Sequence, residues 1–143
     1  MQTCAVQAAE RGIEVRVEGD GGLRAAINAP LLEQAVINLL QNAVTYSPPG
    51  ARVVLRCEAG TSETGEGEVR LRVSDNGPGI GREHLGRLFE RFYRCDRARS
   101  RDQGGTGLGL SIVKHIAQAH HGAVAVDSTP GQGSTFTISL PAA

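Results

Sequence analysis

The alternation of hydrophobic and polar residues predicts five β-strands. Such alternation arises because successive side chains of a strand point to opposite faces of the sheet. The clearest case is STFTISL, where Phe136, Ile138 and Leu140 share one face. The polar segment Gly60–Gly67 indicates an exposed hairpin connection between two strands. The five predicted strands are Ile13–Val17, Arg52–Cys57, Val69–Val73, Ala123–Val126 and Thr135–Leu140.

A helical repeat predicts a first long helix from about Pro30 to Tyr46. Proline suits the first turn, where a missing N–H removes no hydrogen bond, and the following SPPG motif stops the helix. At about 100° per residue, the apolar positions form one stripe that faces the core. The stripe consists of Leu32, Ala35, Val36, Leu39, Leu40 and Ala43.

A second helix is predicted from about Thr106 to His120, and Gly122 is placed to end it. Its residues divide into a core-facing set and an outer set by the same repeat. The core-facing residues are Ile112, Val113, Ile116 and Ala117, and the outer residues are Ser111, Lys114 and His115. Strands and helices mix without strict βαβ alternation, which predicts a two-layer α/β sandwich with one mixed sheet and helices on one face.

Composition narrows the function classes. The chain has 143 residues, 40% of them hydrophobic, which suits one domain with a real core. Its 15 basic residues balance 15 acidic residues, so no field of one sign favours nucleic acid. There is no membrane-length apolar run and no signal-peptide pattern. Cys4, Cys57 and Cys95 share no metal-type spacing, which favours reduced cytosolic thiols.

The first candidate site residues are Asn38 and Asn42 in NLLQNAVTYS. They are four residues apart and therefore share one helix face, which Tyr46 continues one turn later. Amides at the edge of an apolar stripe are ordinarily plain hydrogen-bonding groups. An asparagine oxygen can also bind Mg²⁺, which prefers oxygen ligands and keeps contacts with substrate phosphates.

The second candidate is DNGPGI, Asp75 to Ile80, directly after a predicted strand. Such a sequence suits an ordinary turn. It also suits a ligand site, because Gly77 and Gly79 lack a Cβ and let the backbone approach a flat ligand. The Asp75 carboxylate accepts hydrogen bonds, which matches an exocyclic amino group such as that of adenine.

Two further motifs lie in the long arginine-rich segment between Ile80 and Gly105, a length typical of functional lids. LFERFYR is either a short amphipathic helix that closes the end of the sheet or the anchor of a lid. Arg91 and Arg94 are its candidate phosphate ligands. The glycines of GGTGLGLSIVKHI, before and at the start of the second helix, favour phosphate binding by backbone amides.

These four motifs, in this order, resemble the N, G1, F and G2 boxes of the catalytic, ATP-binding domain of sensor histidine kinases. GQGSTFTISLP resembles the usual closing strand, and the resemblance covers about Gly12 to Pro141. It implies the Bergerat ATP-binding fold: a mixed, mostly antiparallel sheet with helices on one face and an ATP lid at 81–104. Residues 1–143 are then one catalytic domain.

The resemblance also implies roles for individual residues. Asn38 and Asn42 are the expected catalytic residues, and Asn42 is the expected Mg²⁺ ligand. Asp75 is expected to bind the adenine amino group, and the glycines after it shape the adenine pocket. The full expected ATP-binding set is Asn38, Asn42, Tyr46, Asp75, Gly77, Gly79, Ile80, Arg91, Arg94, Gly105, Thr106, Gly107, Leu108 and Gly109.

The implied activity is transfer of the γ-phosphoryl group of Mg²⁺·ATP to a histidine in two-component signalling. None of the four histidines lies in a phosphoacceptor motif, so the acceptor is expected on a separate dimerisation domain. A downstream response regulator, a cytoplasmic location, a monomeric isolated domain and no nucleic-acid partner are also expected. Thr45 stands where the family often has a basic residue, which puts one phosphate contact in doubt.

The same residues leave two rival functions to consider. A non-catalytic nucleotide-binding module is supported by Thr45 alone. A Rossmann-type oxidoreductase lacks the strand that should precede the glycines of its fingerprint.

Overall fold

The computed structural model describes residues 8–19, 21–90 and 109–143. All five predicted strands are present. Each ends later than predicted, because pairing with neighbours continues past the alternating residues, and β1 begins one residue later than predicted. The strands are β1 (Glu14–Gly19), β2 (Arg52–Thr61), β3 (Gly67–Asp75), β4 (Ala123–Thr129) and β5 (Gly133–Pro141). The helices named here are α1 (Ala29–Tyr46), α2 (Arg82–Leu85) and α3 (Gly109–Ala119).

The strands form one mixed sheet in the order β1-β2-β3-β5-β4. Strand β1 pairs in parallel with β2, and the other neighbours are antiparallel. Ser62 donates its backbone N–H to the Glu66 carbonyl at 2.7 Å, which closes the predicted hairpin between β2 and β3. The β3–β5 register sets Asp75 opposite Ser134. A mixed, mostly antiparallel sheet is therefore confirmed.

The core lies between the sheet and the helices α1 and α3. Four members of the predicted α1 stripe are buried, namely Ala35, Leu39, Leu40 and Ala43, and Val44 is buried with them. Leu32 and Val36 pack against this core from partly exposed positions. From the sheet, the core receives buried side chains of β2, β3 and β5: Val53, Leu55, Leu71, Val73, Phe136, Ile138 and Leu140. This arrangement confirms the two-layer sandwich.

Helix α1 has the predicted limits for identifiable reasons. The Asn28 side chain caps its first turn by accepting the Leu31 N–H at 3.2 Å. At the other end, Ser47 is extended, as expected for a residue before proline, and the helix stops.

Helix α3 runs antiparallel to α1. Two contacts show this orientation, since the start of each helix meets a later part of the other. The Asn28 N–H donates to His120 Nε2 at 2.9 Å, and Asn38 Nδ2 approaches the Gly109 carbonyl at 3.5 Å. Val113, Ile116 and Ala117 are buried as predicted.

The placement of Ile112 in the core was wrong, since 38% of its surface is exposed. At 100° per residue it lies about 90° from the centre of the buried stripe. Residues 106–108, where the helix was expected to begin, lie outside the described residues.

The end of α3 is a Schellman motif in which His121 takes the left-handed position, and Gly122, which was predicted to end the helix, is the residue after it. The Gly122 N–H bonds the Ala117 carbonyl at 2.9 Å, and the His121 N–H bonds the Gln118 carbonyl at 3.0 Å. His121 itself has φ of 60°, the left-handed region that favours glycine. Gly122 has another role: a Cβ there would lie 2.1 Å from the Ser139 carbonyl oxygen.

Replacing His121 with glycine is expected to stabilise the fold by about 0.5–1 kcal/mol. The gain is smaller than the 1–2 kcal/mol cost of left-handed backbone, because glycine also makes the unfolded chain more flexible. Urea unfolding of the two proteins measures the difference. Gly122→Ala is the control, since its Cβ would collide with backbone and should destabilise. Equal or lower stability of His121→Gly would contradict the assignment of strain.

Within the three described ranges, no helix combines the length and the apolar character needed to cross a bilayer.

Candidate functional site

One wall of the candidate site is the face of α1 that carries Asn38, Asn42 and Tyr46. All three side chains are partly buried, at the border between core and solvent. The Asn38 amide nitrogen reaches the Gly109 carbonyl at the outer limit of a hydrogen bond. Gly109 opens α3 directly after residues 91–108, so Asn38 lies beside the point where that segment joins the fold.

The second part of the candidate site is Asp75, the last residue of β3. Its Oδ1 accepts the Gly77 N–H at 2.9 Å, and the Ser134 N–H also donates to its carboxylate. Burial raises the pKa of Asp75, and these two backbone N–H groups act in the opposite direction. The result is a partly buried acceptor in a fixed orientation.

The loop after Asp75 packs closely against its neighbours, as its two glycines allow. A Cβ on Gly77 would lie 3.0 Å from Asp75 Oδ1 and 3.4 Å from Ser47 Oγ. Gly79 has φ of 77°, and a Cβ there would meet the Thr129 carbonyl oxygen at 2.4 Å. The loop therefore joins the end of α1 to the β4–β5 hairpin. Ile80 belongs to this junction through its N–H, which Ser128 Oγ accepts at 2.7 Å.

Ser47, one residue past α1, is a buried polar residue that the sequence reading did not single out. It is 1% exposed, and its Oγ has no hydrogen-bond partner among the described residues. Buried hydroxyls are nearly always hydrogen-bonded. A Cβ on Gly77 would lie 3.4 Å from this unpaired oxygen, so Ser47 belongs to the junction between the end of α1 and the loop after Asp75.

Arg11 fixes the end of α1 and was also missed from the sequence. Its guanidinium donates to the carbonyls of Val44 at 3.0 Å, Thr45 at 2.9 Å and Ser47 at 2.7 Å. The last carbonyls of a helix lack partners within the helix, and a cation is favoured there. No local signal could reveal this contact, because Arg11 is more than 30 residues away in sequence.

The expected lid is described only in its first part. Residues 82–85 form α2, which ends three residues before LFERFYR begins at Leu88. Leu88 is buried, and the Phe89 ring meets Phe136 edge-on with 6.1 Å between centroids, as expected of an anchor. Six of the predicted ATP-binding residues lie outside the described residues: Arg91, Arg94, Gly105, Thr106, Gly107 and Leu108.

A groove of about 370 Å³ on the outer face of the sheet is separate from this site. Its arginines already face glutamates: Arg16 lies 2.6 Å from Glu14, and Arg56 lies 2.7 Å from Glu18. Because these charges are paired, the groove offers no field of one sign to a ligand.

Comparison with known families identifies the fold. Residues 27–143 match the family described as histidine kinase-, DNA gyrase B-, and HSP90-like ATPase. The chain belongs to this ATPase family. The match includes α1, Asp75 and the glycines that follow it, so the walls described above lie in the ATPase region.

Individual relatives point to one branch of the ATPase family. The sensor-like histidine kinase SenX3 of Mycobacterium tuberculosis is 46% identical over 138 residues, which are 96% of this chain and 32% of the relative. The chain thus spans about a third of the length of the curated relatives it matches. The relatives confirm the resemblance to sensor histidine kinases.

Two solved structures agree with the fold. The mycobacterial sensor histidine kinase MprB is 31% identical with a TM-score of 0.76, covering 99% of this chain and 91% of that one. Full-length ShkA in complex with AMPPNP is 32% identical with a TM-score of 0.79, covering 99% of this chain and 29% of that one.

Proposed function

We propose that this ATPase-family chain binds Mg²⁺·ATP between α1 and the loop after Asp75, and donates the γ-phosphoryl group to a histidine of a dimerisation and phosphoacceptor domain. The observation that carries the proposal is the Asp75 carboxylate, which is partly buried and oriented by two backbone N–H groups. Such an acceptor matches the 6-amino group of adenine. The complex of ShkA with AMPPNP, an ATP analogue, supports the same ligand class.

The Asn42 side chain is the proposed Mg²⁺ ligand, with Asn38 beside it on the phosphate side. Amide oxygens suit this cation, which takes few protein ligands and several from phosphates and water. When bound, Mg²⁺ neutralises charge on the phosphoryl oxygens. The Gly109 N–H, at the start of an 11-residue helix, is the described member of the proposed phosphate-binding backbone.

Asn38 favours a kinase over a hydrolase. In hydrolases of this superfamily, a glutamate at the corresponding position activates water, and here a neutral amide stands there. An amide is a poor general base near neutral pH. Water in the site is then not activated, and ATP persists until an acceptor histidine arrives.

The proposed transfer needs no base of this chain. A neutral imidazole nitrogen already carries a lone pair. Its bond to the γ-phosphorus forms as the bond from that phosphorus to the bridging β,γ oxygen breaks, and ADP leaves with the electron pair. The acceptor imidazole loses its other ring proton to solvent. The site contributes alignment and charge stabilisation.

The wider setting is proposed on the same basis. A response regulator receives the phosphoryl group from the acceptor histidine, the chain works on the cytoplasmic side, and the isolated domain is a monomer. Thr45 lacks the charge of a basic residue, so Arg91 and Arg94 are the proposed replacements for that phosphate contact.

The test is phosphorylation in trans. The chain is mixed with γ-labelled ATP, Mg²⁺ and a separately purified phosphoacceptor domain of a SenX3-type kinase. We expect acid-labile label on that domain and very slow phosphate release from the chain alone. A phosphoacceptor domain with its histidine changed to alanine is the control and should stay unlabelled.

Three other outcomes of this test would each lead to a different conclusion about the function. Rapid phosphate release by the chain alone would show a hydrolase and contradict the role of Asn38. ATP binding without transfer to any supplied acceptor would favour the nucleotide-binding module. Absence of ATP binding would overturn the proposal altogether.

A further inference from the structure

The hydroxyl of Ser128, near the end of β4, joins three parts of the candidate site. It accepts the Ile80 N–H at 2.7 Å, donates to the Gly133 carbonyl at 3.0 Å and lies 2.9 Å from Ser134 Oγ. Ser128 lies on the inner side of β4 with Val124 and Val126, which pack against the core. One small side chain therefore connects the loop after Asp75 to the β4–β5 hairpin.

The direction of each hydrogen bond follows from counting protons. A serine hydroxyl has one proton and two lone pairs. The Ser128 proton is directed to the Gly133 carbonyl, and one lone pair accepts from Ile80. The contact with Ser134 is therefore one in which Ser134 donates. Its own proton is then used, and Ser134 Oγ offers only lone pairs to other groups.

Ser134 lies directly beside the proposed base-recognising carboxylate. It pairs with Asp75 in the β3–β5 register, is 6% exposed, and donates its backbone N–H to the Asp75 carboxylate. Because directly paired residues of neighbouring strands point to the same face of the sheet, the Asp75 carboxylate and Ser134 Oγ place two oxygen acceptors on one face at this end of the site. A ligand edge that donates protons is favoured here, and one that presents a carbonyl oxygen is disfavoured.

We propose that Ser128 is a positioning residue for base selection. Its oxygen accepts the hydrogen bond from the Ser134 hydroxyl, so that the groups beside Asp75 offer only acceptors to the base, and it also holds the Ile80 N–H. The proposal rests on ATP binding at Asp75. It adds a reason why a 6-amino purine is preferred to a 6-oxo purine. Without the Ser128 oxygen, the Ser134 hydroxyl can turn and donate to a carbonyl, and the Ile80 N–H loses its acceptor.

The experiment compares the dissociation constants of ATP and ITP, which carries a 6-oxo group in place of the 6-amino group. Calorimetry with Mg²⁺ is run on the parent chain and on the matched pair Ser128→Thr and Ser128→Val, which differ only in the hydroxyl. Both residues suit a β-strand. Ser128→Ala is added as the least bulky variant.

The parent and Ser128→Thr are expected to prefer ATP. In Ser128→Val and Ser128→Ala, the dissociation constant of ITP divided by that of ATP is expected to fall by about five- to tenfold. This change is in line with the loss of one or two neutral hydrogen bonds. Ser74→Ala is the control, because it removes a 3.0 Å hydroxyl contact with Thr135 that does not involve Ser128 or Ser134. Its ratio should match that of the parent.

Two failures can be told apart. If the parent chain does not bind ATP, the proposed function is wrong, and base selection by Ser128 falls with it. If the parent binds ATP but the ratio is the same in all folded Ser128 variants, Ser128 only braces the hairpin and the inference alone is overturned. A lower melting temperature with an unchanged ratio has the same meaning.

Discussion

Replacing Asp75 with asparagine is expected to weaken ATP binding by about ten- to a hundredfold, and to leave the unliganded fold at least as stable. A hydrogen bond to a charged group contributes about 1.5–3 kcal/mol, and the change removes that charge from the acceptor facing the base. The preference for ATP over GTP should shrink as well. Titration calorimetry and competition between the two nucleotides measure both effects.

The stability of the Asp75→Asn protein follows from the direction of the pKa shift. Burial raises the pKa of Asp75 in the folded state, so the ionised form is disfavoured there relative to the unfolded chain. This penalty is fully present above the folded-state pKa and disappears as pH falls toward the ordinary value of about 3.9. The asparagine protein should therefore be the more stable one at pH 7, and the difference should close on acidification.

Asp127→Asn is the matched control, because Asp127 is exposed on β4. It should leave nucleotide affinity and the melting temperature at pH 7 nearly unchanged. An Asp75→Asn protein that binds ATP as tightly as the parent would contradict the assignment of the adenine contact.

Replacing Arg11 with alanine is expected to lower the free energy of unfolding by about 3 kcal/mol, since it leaves three carbonyls without a charged donor. At about 2–4 °C per kcal/mol, the melting temperature should fall by about 10 °C. ATP affinity should fall as well, because the same carbonyls hold the residues around Tyr46 and Ser47.

Two variants sharpen the Arg11 experiment. Arg11→Lys keeps the charge but not the planar fork, and should recover only part of the stability. Arg16→Ala removes an arginine from an exposed ion pair with Glu14 and should leave unfolding nearly unchanged. Equal effects of Arg11→Ala and Arg16→Ala in urea unfolding would show that the fork does not stabilise α1.

The fold was predictable where its signal is local. Helix α1 has a proline at its start, a regular apolar stripe and a double proline after its end, and its limits were confirmed. The five strands were predicted from alternation, but their polar ends were not. Where a strand ends depends on its pairing with a neighbouring strand, and this pairing leaves no pattern in the residues of the segment. The exposed Ile112 shows that an edge position of a helix stripe is decided by what packs against it.

The candidate site was predictable only in part for the same reason. Asp75 and its glycines form a local motif, and the sequence places them directly. Arg11, Ser47 and Ser128 act through contacts between segments far apart in the chain, and each looked ordinary in its own segment. The same holds for His121, whose left-handed backbone is visible only once the end of α3 is built.

The length of β3 separates the two ends of the sheet. Nine residues at about 3.4 Å per step span roughly 27 Å between the strand's ends, with Asp75 at one end and the turn from Ser62 to Glu66 beyond the other. That turn is polar and exposed, and the Gly65 backbone has open space around it. It is therefore a suitable attachment point for a fluorescent reporter that must stay clear of the proposed nucleotide site.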